Sequence, residues 1–309
     1  MQREKHTKSG PLLEIDFYSI WADGRRLPSR APKTKETSEE QKKYNRTVAM
    51  KKLVRLVNAN FDSSDYFMHP TYEPSKAPQD EKAARRDIVN YLRRVKSRRE
   101  REAKRLKKEL KQAEKAAEAL PDNEYLAESV KGLKGKIAKL SKPMKYIYVI
   151  EKQTYKSGKH AGRVNWHFHL FVTGGLDSRT LEGMWTNGLR TNCNHYQPEK
   201  FGPEAAGKYM AKDPQGAKRF CYSKNLKKPR EKTKDGGVSR LSVERMATER
   251  VDDSAFWEKR YKGYRFLRCY SRFNEYNGRW YVSVVMYKSK DDGDLPEWKE
   301  DEWLTSDYA

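Results

Sequence analysis

Cysteine is nearly absent: the chain holds three, Cys193, Cys221 and Cys269, among 309 residues. An odd number at wide spacing excludes paired zinc-finger ligands and a disulfide framework. No stretch approaches the roughly 20 apolar residues that a bilayer-spanning helix requires, and the mean hydropathy is −1.08. A membrane partner is therefore not expected. Met1-Gln2-Arg3-Glu4-Lys5 lacks the apolar core of a secretory signal, so a reducing cytoplasm is the expected compartment. Gly135-Lys136-Ile137 and Gly158-Lys159-His160 lack the hydroxyl residue and preceding glycines of a phosphate-binding loop. Hydrolysis of nucleoside triphosphates by that route is excluded. Acidic residues are also in deficit, 43 Asp and Glu against 66 Lys and Arg.

That deficit leaves a net charge of +23. Basic side chains that neutralise phosphates release counterions whatever the base sequence, so a nucleic acid is the expected partner. Aromatic residues make up 12% of the chain, 19 of them Tyr, enough to build a core.

Residues 1–37 are polar and rich in Pro and Lys apart from a short apolar run between Leu12 and Trp21, and read as an N-terminal arm. A domain is expected over 38–290 and an acidic C-terminal tail over 291–309. Ser38 followed by Gln41 is a capping-box pattern ahead of a helix carrying Val48, Leu53, Leu56 and Val57. Tyr66 to Tyr72 reads as a strand, where Pro70 suggests an edge or a bulge. A helix starting near Asp80 enters a basic section with eleven Lys or Arg and three Glu between Leu92 and Gln112. Ala103, Leu106, Leu110, Ala113, Ala117 and Leu120 then alternate spacings of three and four. Beyond Pro121-Asp122-Asn123, the residues Leu126, Val130, Leu133, Ile137 and Leu140 repeat that stripe. The two stripes most simply bury each other in an antiparallel helical hairpin inserted at about 97–142; a solvated charged helix is the alternative. Gly132 and Gly135 weaken its second arm by about 1 kcal/mol each relative to Ala.

Tyr146 to Glu151 and Trp166 to Val172 read as strands joined by a basic loop at 152–163. A helix is expected from Ser178 to Trp185, a short strand at 189–196, a helix at 203–212 and a basic loop at 217–240. Helices follow near 242–251 and 254–261, then an aromatic hairpin at 264–287 turning at Asn277-Gly278. The fold class is α+β, with a central antiparallel sheet flanked by helices.

In the run Trp166-His167-Phe168-His169-Leu170-Phe171-Val172, strand alternation puts His167 and His169 on one face and Trp166, Phe168, Leu170 and Val172 on the other. Two imidazoles side by side on a rigid strand make half of a metal site; a pair of core or surface histidines is the alternative. Glu151 ends the preceding strand, and an antiparallel pairing would face its carboxylate to them. Two His and one Glu leave coordination positions open for water and a phosphate oxygen, as a catalytic ion requires. Such mixed donors admit Mg²⁺ or Mn²⁺ as well as Zn²⁺. Alone, Glu151 reads more readily as an exposed charge at a strand end. Farther on, Tyr209 and Lys212 are three apart and share one face of the helix expected at 203–212. A phenol is a poor nucleophile until a cation stabilises its anion. Small residues at 205–207 would let a DNA backbone approach. Taken singly, a Tyr-x-x-Lys pair is most often a surface feature.

In order, Asp65-Tyr66-Phe67-Met68-His69-Pro70-Thr71-Tyr72, then Glu151 with His167-Phe168-His169, then Tyr209-Met210-Ala211-Lys212 resemble the three motifs of rolling-circle replication initiators. These belong to the superfamily of His-hydrophobe-His (HUH) endonucleases, which nick single-stranded DNA. Trp185 with Gly188, and the run from Arg219 to Pro229, also resemble the plasmid and phage type. The resemblance covers roughly residues 45–290. The first motif usually reads Thr-Leu-Thr-Tyr; here His69-Pro70 stand for its first two residues, which brings His69 into consideration as a neighbour of the metal. The helical hairpin reads as an insertion.

The resemblance implies an HUH or RRM-like core. It implies Mg²⁺ or Mn²⁺ held by Glu151, His167 and His169, with Tyr209 as the single nucleophile and Lys212 steadying the phosphate or the phenolate. Single-stranded and hairpin origin DNA are the implied substrates, and a host helicase and polymerase in a bacterial cytoplasm the implied partners. One tyrosine resolves the final joint only with a second protomer, hence a homodimer, or with an activated water, for which Glu204 is a candidate. A transposase, a relaxase and a non-catalytic origin-binding protein are the alternatives.

Overall fold

The computed structural model describes residues 1–20, 38–154, 162, 164–188, 191–212, 218–275 and 277–288. The expected acidic tail, most of the basic loop at 152–163 and residues 21–37 of the expected arm lie outside these. The chain divides into two units. One comprises Met1–Asn60, Glu199–Gly207 and the segment from Lys227; the other comprises Phe61–Pro198 and Lys208–Leu226. Each is built on its own antiparallel five-stranded sheet, and together they make an α+β protein. Among the described residues no helix is long and apolar enough to cross a membrane.

In the first unit the strands β1 (Gln2–Ser9), β2 (Leu12–Ser19), β8 (Arg230–Asp235), β9 (Arg265–Asn274) and β10 (Arg279–Tyr287) lie in the order β8-β1-β2-β10-β9. Leu13, Ile15 and Phe17 sit opposite Met286, Val284 and Val282. Helices α7 (Arg240–Glu249) and α8 (Ser254–Arg260) cover that face with Val243, Met246, Ala247 and Trp257. On the other face Val54 of α1 (Glu39–Asn60) packs with Leu12, Val285 and Tyr287. The Gln41 N–H donates to Ser38 Oγ at 3.2 Å, capping α1. Residues 2–19 are thus two strands of a sheet and not part of an arm. The expected loop at 217–240 is likewise interrupted by strands, at Cys221–Tyr222 and at Arg230–Asp235.

After the short helices α4 (Ser178–Gly183) and α5 (Pro198–Phe201), helix α6 (Ala205–Met210), through which the division between the units passes, presses Gly207 against α1. A Cβ there would lie 2.6 Å from Val54 Cγ2 and 2.9 Å from its Cα. Ala205 and Ala206 are buried as well. The small residues therefore serve helix packing, not the approach of a DNA backbone. Overpacking costs about 1–3 kcal/mol, so Gly207→Ala is expected to destabilise the protein by that amount, read as a lower urea midpoint.

The second unit orders its strands β6-β3-β5-β4-β7, with β3 (Tyr66–Pro70), β4 (Tyr146–Thr154), β5 (Val164–Val172), β6 (Thr191–His195) and β7 (Cys221–Tyr222). Pro70 is neither on an edge strand nor in a bulge. Strand β3 lies between β5 and β6, and its ladder to β5 runs from Tyr66 to Met68 and is met again at Thr71↔His167. The missing proline N–H falls inside that gap.

Helix α2 (Glu81–Ala119) is continuous, capped where Asp80 Oδ1 accepts the Ala83 N–H at 2.7 Å. Its first half lays Ala84, Ile88, Tyr91, Leu92 and Val95 on the sheet face that carries Met68, Ile150, Phe168 and Leu170. Its second half pairs with α3 (Glu124–Ser141), burying Ala103 and Leu106 with Leu133 and Leu140. The stripes do bury each other.

Arg99, one of the eleven basic residues between Leu92 and Gln112, is buried. Its guanidinium donates to Lys139 O at 3.1 Å, Leu140 O at 3.3 Å and Lys142 O at 3.1 Å, where α3 ends, and to Thr173 O at 3.1 Å and Gly174 O, where β5 ends. Burial pulls its pKa down, against the charge of Asp65. Arg99→Met would leave buried carbonyls without donors, an effect on the order of 3–5 kcal/mol. A lower unfolding midpoint, with loss of protection at the α3 amides in hydrogen exchange, is the expected result.

Candidate metal centre

One face of the second unit's sheet packs on α2, and the other carries the chemistry. In the β4–β5 register Glu151 is directly opposite His167, and Val149 opposite His169. Residues opposite one another point to the same side, so the carboxylate and both imidazoles share a face. Glu151 is not the last residue of its strand, which runs on to Thr154. Continuing the β3–β5 register from Met68↔Leu170 sets His69 opposite His169, on that same face.

The geometry is close. His169 Nε2 lies 2.6 Å and His167 Nε2 3.1 Å from the same oxygen, Glu151 Oε2. One ligand atom from each residue can be chosen so that all lie within 4.8 Å of one another. Glu151 and His169 are buried and His167 half-buried. Burial pushes the His169 pKa down and keeps the ring neutral. Burial acts to raise the Glu151 carboxyl, but its bonds to His167 and His169 outweigh that and hold it well below the carboxylate range. The state that follows is a carboxylate beside a neutral His169 imidazole, the protonation that a metal requires of those two groups. Both Nδ1 atoms are buried without a hydrogen-bond partner. The triad could hold a metal ion, and three protein ligands leave positions for water or substrate.

Tyr209, on α6, belongs to the same unit and stands over this face. Its ring centroid is 4.7 Å from that of His169, at an interplanar angle of 75°. It is also 5.9 Å from His69 and 6.4 Å from Phe67. Burial, and then the charge of Glu151, raise its phenol pKa. Lys212 is exposed and lies beyond the end of the helix, which stops at Met210 and not at 212. Its N–H donates to Tyr209 O at 3.2 Å, which keeps the two in one turn.

His69 lies outside the ligand set, but its ring is 5.0 Å from that of His169. Burial, with His169 and His167 nearby, pushes its pKa down to about 3, so it is an uncharged neighbour of both triad and tyrosine. Phe67, stacked on Phe171 with centroids 4.6 Å apart, floors the site beneath His169 and Tyr209. Nothing in the chain's motifs points to Phe67 beyond its place two residues before His69.

Trp185 and Gly188 brace the first-motif strand. The indole N–H donates to Thr71 O at 3.0 Å, and a Cβ on Gly188 would fall 1.8 Å from that oxygen. Glu204 is held in the first unit by Arg268, at 2.8 and 3.0 Å. The segment from Arg219 supplies β7 at the edge of β4, with Arg85 Nη1 donating to Cys221 Sγ at 2.6 Å. On α2, Arg93, Arg94, Arg98 and Arg101 line a groove of about 480 Å³ with Thr180 and Met184. No family model, curated protein or solved structure matches this chain.

Proposed function

We propose that this protein is a metal-dependent, site-specific single-stranded DNA endonuclease and strand transferase of the His-hydrophobe-His type, and that it initiates rolling-circle replication. The observation that carries the reading is the placement of the Tyr209 ring 4.7 Å from His169, over the same sheet face as Glu151 and His167. Glu151, His167 and His169 would hold Mg²⁺ or Mn²⁺. Such an ion supplies positive charge to a non-bridging oxygen of the scissile phosphate and to a developing phenolate. A raised phenol pKa makes that charge necessary, because the ring is otherwise held neutral by its burial.

Tyr209 Oη attacks phosphorus, an O–P bond forms and the P–O3′ bond breaks. The phenol proton is balanced by the one the leaving 3′-oxygen takes up. The products are a 5′-phosphotyrosyl link and a free 3′-hydroxyl that a host polymerase extends. Because a phosphoester is kept throughout, a later 3′-hydroxyl recloses the strand without ATP. Lys212, exposed in the same turn as Tyr209, is available to the phosphate. The arginine groove on α2 offers backbone contacts that position DNA without reading it. With one tyrosine, the final joint calls for a second protomer. A host helicase would supply unwinding.

The test is cleavage of single-stranded DNA carrying the element's origin, in Mg²⁺ or Mn²⁺ and in EDTA, resolved on a denaturing gel. The expected result is a metal-dependent nick, a protein–DNA adduct that resists SDS, and a 3′ end that polymerase extends. Tight binding with no nick under any divalent ion would instead make the protein an origin-binding factor.

A further inference from the structure

We infer that the first unit's sheet carries a separate binding surface for single-stranded DNA, in which bases stack on Tyr18, Tyr270 and Tyr281 and phosphates meet Arg272 and Arg279. The sheet face opposite α7 and α8 is covered by α1 around Val54. At the other end of its strands lies an open groove of about 440 Å³, lined by those five residues and Trp280 among others. The register explains the cluster. Tyr281 is opposite Arg272, and Ser283 opposite Tyr270. Phe17 is opposite Val282 on the core face, so the adjacent Tyr18 and Tyr281 share the open one. A row Tyr18, Tyr281, Arg272 thus crosses three neighbouring strands, with Tyr270 beside it.

These side chains are arranged to receive a ligand. Tyr281 Oη donates to Asp16 Oδ1 at 2.6 Å, which fixes its ring. Arg3, paired with Asp235, sits opposite Tyr18 in the β1–β2 register. Tyr270 is 52% exposed. Among the described residues neither Arg272 nor Arg279 is in an ion pair. Flat rings and uncommitted guanidinium groups on a sheet match unpaired bases, whose faces are free, and a phosphate backbone. A duplex has its base faces already stacked and would need the cations alone. The chain's charge of +23 favours a polyanion over a protein partner. The inference rests on the proposed function only in taking the strand to be DNA.

The experiment measures fluorescence anisotropy of labelled oligo(dT) of about 12 nucleotides with the full chain in EDTA, so that no cleavage enters. Tyr270→Ala is expected to weaken binding about tenfold, and Tyr270→Phe, which keeps the ring, to leave it unchanged. Arg272→Ala with Arg279→Ala should lower the slope of log affinity against log salt by about 1.4, two phosphates at about 0.7 each. Duplex binding should hold within about twofold for Tyr270→Ala. Unchanged oligo(dT) affinity and slope, an equal loss on duplex, or a preference for oligo(U) with no effect on DNA would each overturn the assignment. If the unmodified chain makes no nick or adduct under any divalent ion while Tyr270→Ala loses affinity in EDTA, the nuclease reading fails and this surface stands.

Discussion

Tyr209→Phe is expected to abolish the covalent protein–DNA adduct and reduce nicking by at least about 10³-fold, since loss of a nucleophile is among the most costly single changes an enzyme can suffer. The substitution removes one oxygen and keeps the ring that packs on His169, His69 and Phe67. Folding is therefore expected to be unaffected within about 0.5 kcal/mol, and affinity for single-stranded DNA to stay within about twofold. Quench-flow nicking, an SDS-resistant adduct assay and anisotropy on one preparation check all three. An adduct that persists in Tyr209→Phe would move the nucleophile to another residue. A loss of binding in step with nicking would mean that the phenol holds substrate and does not react with it.

The site was readable because its residues are tied to strand periodicity. Alternation alone set His167 and His169 on one face, and the short connection from Glu151 implied the antiparallel neighbour that the register bears out. The hairpin was readable for the same reason, since two apolar stripes of matching period have few other ways to leave water. In the first unit the helices near 242–251 and 254–261 and the hairpin at 264–287 were readable too, but the two N-terminal strands were not. Strand β1 buries Gln2, Glu4, Thr7 and Ser9, all polar, so it carries no hydrophobic alternation and looks like a tail. Its pairing is fixed from outside, by β2 and by β8, more than 220 residues away. Arg99 escaped for a related reason. Within eleven basic residues only its register on α2 singles it out, and that register matters only once the end of α3 and the end of β5 are brought to it. His69 sits where a proline follows. Its place beside His169 depends on a ladder that skips Pro70 yet is met in unbroken register at Thr71↔His167.

Glu151→Gln is expected to remove the metal dependence of stability as well as cleavage, and the two readouts together separate a metal site from a structural carboxylate. In the wild-type chain an ion that binds only the folded state at about 100 times its dissociation constant adds about 2.7 kcal/mol. For a chain of this size that is a rise of roughly 4 °C in the unfolding midpoint. The amide is nearly isosteric and hydrogen-bonds an imidazole, so the EDTA midpoint should move little, because the buried carboxylate with its desolvation cost is gone along with its hydrogen bonds. It is a much poorer ligand, so the rise in Mg²⁺ or Mn²⁺ should vanish, with cleavage lower by orders of magnitude. His169→Ala should also lose the metal response, but with a lower EDTA midpoint, because it leaves the Glu151 charge buried beside one imidazole in place of two. The sign with pH follows from the ligands. Burial keeps His169 neutral and its partners keep Glu151 ionised, so at neutral pH no proton has to leave either group for an ion to bind. The metal-induced rise should therefore shrink on acidification, as His169 takes up a proton in competition with the ion. A wild-type midpoint indifferent to both ions across that range, with cleavage intact in EDTA, would show the triad to be a buried hydrogen-bond network and nothing more.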